Sequence, residues 1–388
     1  MRGDTRRPRI STVAIAAGAV LCVIGLVVDP ARTAAAYLVA YMSCLAIVLG
    51  ELAMIMIARV TAATWFVALR RQAEQVAATL PVFAVLFVPI LVALPVLYPW
   101  VHVTEAIAPP AREIVRAKAA YLNVPFFIIR AMIYLGTWIL LGERLRRASL
   151  TQDRGDTETV ERRLRVTSAV GLVAFGFTTS FAAFDWMMSL APSWYSTIYG
   201  VDYFAGGMVG ALALLAVLVA RGRWRGELPA SIGADHFHAL AKLLLTFVLF
   251  WVYIGFSQLI VIWSAEVPIE RSWYVVRMRG GWEDLGVVLV AGHFAIPFLA
   301  LLIREFKRSV GAMAFLGAWL LAMHYLDVYW IIMPDAARTT VLGYWLDLGA
   351  LLLVGGAGSL TWEWRRRADH AVAVGDPAID ASLGYAAD

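Results

Sequence analysis

The sequence predicts an all-α integral membrane protein of about ten transmembrane helices, and three observations predict it. Hydrophobic residues make up 61% of the chain and charged residues only 16%, against roughly 25% charge in a soluble domain. Mean hydropathy is +0.73. The apolar residues gather into runs of about 20, long enough for a helix to cross the hydrocarbon core of a bilayer. Fifteen Trp and 14 Tyr suit the aromatic belts found at bilayer interfaces.

Ten spans can be laid out in order, at roughly 10–28, 35–58, 79–101, 121–142, 166–190, 199–220, 238–265, 284–303, 310–333 and 341–362. The amino end, MRGDTRRPRI before STVAIAAGAVLCVIGLVV, has the outline of a signal peptide. Its apolar run exceeds the usual h-region of about 7–15 residues and further spans follow, so it is expected to be a first membrane helix. No fixed-period solenoid repeat is present. Residues 1–367 are expected to form a single polytopic domain. The Ala/Asp/Gly-rich tail, 368–388, is expected to be disordered. The loop 144–165 mixes both signs of charge and has no phosphate-cradling glycine pattern.

The net charge of +5 and pI of about 9.3 do not imply nucleic acid, because the basic residues lie in short loops between apolar runs. They are also unevenly shared. The amino end, the even-numbered loops and the carboxyl end hold 23 Lys and Arg, and the odd-numbered loops hold 8. The positive-inside rule then puts both ends in the cytoplasm of a bacterial inner membrane. The corner at Pro192–Tyr199 falls on the outer, periplasmic side. Cys22 and Cys44 lie apart in apolar runs and form no CxxC or CxxCH, which excludes iron–sulfur ligation and c-type haem attachment by this chain.

Ionisable residues inside such spans are functional candidates by default. Depth, counted at 1.5 Å per residue, places Arg130, Asp185, Asp202, His293, His324 and Asp327 in the outer half, with Asp347 several residues into the last span. His324 and Asp327 are three apart on one helix face, which permits a hydrogen bond and a proton-handling pair. Pro297 cannot donate to the carbonyl of His293 and is expected to kink that helix. Arg130 either tunes the acids around it or simply neutralises a buried Asp. Glu51 and Lys242, nearer the other surface, are expected to pair. Gly206 and Gly210 are spaced for close helix packing. Ser257, Gln258, Tyr325 and Trp186 would line a quinone pocket, with hydrogen bonds to the oxygens and flat walls for the ring. Two histidines could hold one b-type haem, but no helix carries the two needed for a dihaem cytochrome b. The expectation is therefore no metal and no haem in this chain.

Four stretches carry a resemblance: FDWMMSLAPSWYSTIYGVDYFAGG (184–207), KLLLTFVLFWVYIGFSQLIVIWSAEVPIERSWYVVRMRGGW (242–282), HFAIPFLALLIREFKR (293–308) and HYLDVYWIIMP (324–334). Together they resemble the NrfD-like membrane subunits of respiratory complexes, and are similar above all to the second such subunit of the bacterial alternative complex III, a quinol:electron-acceptor oxidoreductase. The resemblance implies two four-helix bundles plus two extra helices. It also implies a quinone or menaquinone as ligand. The partners implied are a paralogous NrfD-like membrane subunit, an iron–sulfur/molybdopterin-like subunit, c-type cytochrome subunits and small membrane subunits, which would carry the redox cofactors. The first paralogue is expected to have His after the corner Trp; this chain has Tyr195 there, which keeps proton conduction or structural support open beside quinol oxidation. A scaffold or proton conduit without quinone turnover is one alternative. A secondary transporter is another, although neither inverted repeats nor matching broken helices are seen.

Overall fold

The computed structural model describes residues 7–102, 109–155, 158–265, 267–336 and 345–387. The first six residues, with two of the basic residues counted above, lie outside the described set. Among the described residues there are helices and connections but no strand. Ten of the helices are long and apolar enough to cross a membrane: α1 Ile10–Val28, α2 Pro30–Val60, α3 Thr64–Val92, α4 Val124–Gln152, α5 Val160–Leu190, α6 Tyr199–Trp224, α7 Ala234–Ala265, α8 Trp282–Leu302, α9 Val310–Ala336 and α10 Trp345–Arg367. The all-α, ten-span expectation holds, and the protein is a multi-pass membrane protein.

Helices α2–α5 form one group and α6–α9 a second, with α1 and α10 along α2 and antiparallel to each other, Gly25 meeting Leu346, Gly18 Leu353 and Ile15 Gly356. The organising element is α2, buried along nearly its whole length. It can sit there because small residues let backbones approach. A Cβ on Gly50 would lie 2.6 Å from the carbonyl oxygen of Gly207 in α6, and one on Gly207 would lie 2.9 Å from that of Ala46. Helix α6 meets α9 in the same way, Gly317 facing the carbonyl of Ala213 at 2.6 Å. Outward faces are apolar, as in Tyr253, Phe256, Val261 and Trp263 of α7, where lipid replaces water.

Hydropathy starts the third span too late. Helix α3 begins at Thr64 and buries Arg70, Arg71, Gln72, Glu74 and Gln75. These charges are tolerated because each is matched. Arg70 pairs with Glu74 at 3.1 Å and Asp376 at 2.6 Å, and Arg71 with Glu74 at 3.0 Å and Asp153 at 2.5 Å. Arg59, at the end of α2, reaches Glu161 at 2.6 Å.

The tail departs from the expected disorder. Asp376 sits between Arg59 and Arg70, and Gln72 donates to the carbonyl of Ala371 at 3.1 Å. Ser382 is fully buried at the start of α3, where its hydroxyl accepts from the Ala68 N–H at 2.9 Å. A short helix, Ile379–Leu383, results. Composition failed here because the tail is held largely by polar partners that distant helices supply, Arg59 of α2, Arg70 and Gln72 of α3, Arg146 of α4 and His236 of α7.

Candidate functional site

Helix α9 carries His324 and Asp327 on the face it turns to α6, and that face of α6 is bare. A Cβ on Gly206 would stand 3.0 Å from Asp327 Oδ2, and one on Gly210 would stand 3.1 Å from His324 Cδ2. The two glycines therefore do more than join helices: they leave the space that the acid and the imidazole fill. His324 and Asp327 do not bond each other as expected. Sharing a helix face brings the two Cα atoms together, but the side chains diverge to different neighbours. His324 Nε2 lies 3.1 Å from the carbonyl oxygen of Ser43 in α2. A carbonyl only accepts, so Nε2 carries the proton and Nδ1 keeps its lone pair. Nδ1 is buried with no partner among the described residues.

Asp327 accepts instead from the indole N–H of Trp251 on α7, at 3.2 Å. The same indole lies against the ring of His293, centroid to centroid 4.2 Å. His293 is completely buried, and neither ring nitrogen is hydrogen-bonded among the described residues. Trp251 thus bridges two groups that sequence depth had placed near each other. Its own role went unread because one Trp among 15 in an apolar protein carries no local mark.

The kink expected at Pro297 takes the form of a π-helical turn, Val290–Ala295, in which the Ile296 N–H reaches back five residues to the carbonyl of Ala291. In that register the donor missing from Pro297 frees the carbonyl of Gly292, not that of His293. Trp319 of α9 donates to it at 2.7 Å. The π turn widens the helix at His293 and helps aim the imidazole inward.

Asp202, half-buried in the first turn of α6, lies within electrostatic reach of Asp327, as His293 does of His324. The helix Pro268–Arg277 follows α7 at the end of the bundle that holds the Pro192–Tyr199 corner. Its Trp273 stacks on Trp194 of the aromatic corner at 4.9 Å. Arg277, also unread in the sequence, is pressed on Trp273 and bonds the carbonyl of Ile331 at 2.5 Å and Asp335 at 2.6 Å. Burial brings the Arg277 guanidinium below its ordinary pKa, with Asp335 acting in the opposite direction.

The remaining candidates fall elsewhere. Asp185 is fully buried and clasped by Arg130, Nε to Oδ2 2.7 Å and Nη2 to Oδ1 3.0 Å, with the Tyr134 hydroxyl donating at 2.9 Å. These bonds join α4 to α5 and none reaches His324. Asp347 is clasped likewise by Arg32 at 2.9 and 2.5 Å, and Arg32 also reaches the Tyr329 hydroxyl. Arg32 is buried in the first turn of α2, not placed in a loop as the span limits implied. Glu51 is buried, and among the described residues neither of its oxygens accepts a hydrogen bond, so it does not pair with Lys242, whose contacts lie elsewhere.

The expected quinone contacts do not converge. Trp186 packs in the first group of helices, 4.6 Å from Phe87 and 5.8 Å from Trp138. Ser257 bonds its own helix at Ile254, and with half-buried Gln258 lies about 10 Å along α7 from Trp251. Tyr325 faces Tyr329, ring centroids 6.3 Å apart, and its hydroxyl has no partner. Around His324 the helices are closed on Gly206 and Gly210, and a Cβ on Gly292 would meet Met323 Sδ at 2.6 Å. This packing does not fit a quinone ring. What it brings together is two imidazoles with bare nitrogens and two carboxylates, groups that can take up and release protons. No family model matches the chain, and no curated protein shows significant similarity to it.

Proposed function

We propose that this chain is a proton-conducting membrane subunit of a quinol-oxidising respiratory complex, of the NrfD-like kind found in the bacterial alternative complex III. The observation that carries the proposal is the buried group His324, Asp327, Trp251 and His293, in which three imidazole nitrogens have no hydrogen-bond partner among the described residues. An unpaired buried polar atom costs on the order of 1–3 kcal/mol. Three in one place, on two imidazoles beside a carboxylate, suit groups that bind and release protons. The resemblance adds the setting, since the stretches that carry it contain Asp202, Trp251, His293, His324 and Asp327. The excess of Lys and Arg on the side of the chain ends supports a cytoplasmic location for those ends in a bacterial inner membrane. Protons would then pass between the mid-membrane imidazoles and the periplasmic surface through Asp327 and Asp202.

In this reading quinol oxidation belongs to a paralogous partner, with iron–sulfur and c-haem subunits carrying the electrons. Arg130, Asp185, Arg32 and Asp347 are structural clasps. The test is quinol-dependent turnover and proton release by the assembled complex in liposomes. Asp327→Asn and His324→Gln should each lower proton release at least tenfold. Full proton release by Asp327→Asn rejects the role. Purification of the chain as an active transporter without redox subunits rejects the setting.

A further inference from the structure

A separate cavity of about 360 Å³ opens between the α1/α10 pair and the core, in the half of the protein that holds the chain ends. Its deep end is apolar, formed by Cys44 of α2, Phe83 of α3 and Val354 of α10. Along α10 the wall runs from Val354 to Glu363, about 13 Å at 1.5 Å per residue. That is close to one leaflet of a hydrocarbon core about 30 Å thick. The wall is made smooth by Gly355 and Gly358, where an added Cβ would come no nearer than 3.9 Å to any neighbour. Exposed Ser359 lies on its rim.

The mouth has a different chemistry. Trp362 is 9% exposed and its indole N–H has no acceptor among the described residues. The guanidinium of Arg221 lies over the same ring, 5.1 Å from its centre. Beside them Glu363 Oε2 is buried without a donor. One side of the opening therefore carries an N–H beside the Arg221 guanidinium, which also has other contacts in the protein, and the other a carboxylate oxygen with no donor among the described residues. Phosphate and a primary ammonium on a single headgroup would satisfy both.

We propose that this shaft binds one acyl chain of a zwitterionic, ethanolamine-type phospholipid. The phosphate accepts from Trp362 Nε1 and Arg221, and the ammonium donates to Glu363. The shaft contains none of the residues assigned to proton conduction, so this site stands or falls separately.

The full chain, extracted in mild detergent in whatever assembly it occupies, is washed with excess detergent and examined by native mass spectrometry and lipid extraction. The expected result is one phosphatidylethanolamine retained per chain, enriched at least tenfold over phosphatidylglycerol relative to the membrane. Gly358→Leu, whose side chain fills the shaft, should lose it at least tenfold, and Glu363→Gln should abolish the headgroup preference. In a Cys22→Ser background, Cys44 should resist N-ethylmaleimide until the lipid is stripped. The proposal is overturned by no retained lipid, by a quinone in its place, by equal retention of both headgroups, or by equal retention in Gly358→Leu. Should that variant not fold, Cys44 labelling decides: equal reactivity before and after stripping overturns the site.

Discussion

Arg130 and Asp185 provide the sharpest check on the proposed division between structural and proton-handling charges. Asp185 is fully buried and holds two guanidinium bonds and one phenol bond, while Arg130 is sandwiched by Tyr121 and Phe126 at 3.8 and 4.3 Å. Asp185→Leu removes the acceptor for all three donors and strands a cation, which costs about 3–5 kcal/mol in a buried pair. Arg130→Met strands the carboxylate at similar cost. The double variant leaves neither charge, so most of the loss should return and the coupling should reach several kcal/mol. Reversible unfolding in mixed detergent, followed by circular dichroism, reads all four corners of the cycle. Proton release by the folded double variant should match wild type, because the pair makes no bond to His324, Asp327 or Trp251. The reasoning is refuted if the double variant folds with near-native stability and yet loses proton release, since Asp185 would then lie on the path.

Trp251→Phe keeps a ring against His293 but removes the donor to Asp327; turnover should fall about tenfold, roughly 1.4 kcal/mol, with folding intact by circular dichroism. Gly206→Val forces a branched side chain toward Asp327 Oδ2, which already lies 3.0 Å from where a single Cβ would be; it should cost more activity than Gly206→Ala, measured side by side. Burial opposes the charge on Asp376, but Arg70, the Ala378 N–H and Arg59 outweigh it and hold the carboxyl below its ordinary value. A lowered carboxyl stabilises docking above the unfolded value near pH 4 and loses that effect as pH falls through the lower folded value. Tail amides around Ser382 should therefore stay protected from hydrogen exchange at neutral pH and exchange in strong acid, and Asp376→Ala should expose them at pH 7.

The sequence by itself determined the membrane class, the ten spans and the level at which ionisable side chains sit, because apolar run length and helical rise are local quantities. It also marked His293, His324, Asp327 and Asp202 as neighbours in depth. Only the tertiary structure decided which charges close on each other, since a clasp such as Arg32–Asp347 or Arg70–Asp376 joins residues about 300 positions apart. Depth gives one coordinate of three. The azimuth of each side chain, set by packing against other helices, separates Asp185 from Asp327 although both are buried acids. That same packing turns Trp251 and two bare glycines into parts of a site, and folds a polar tail onto charges that hydropathy had left in a loop.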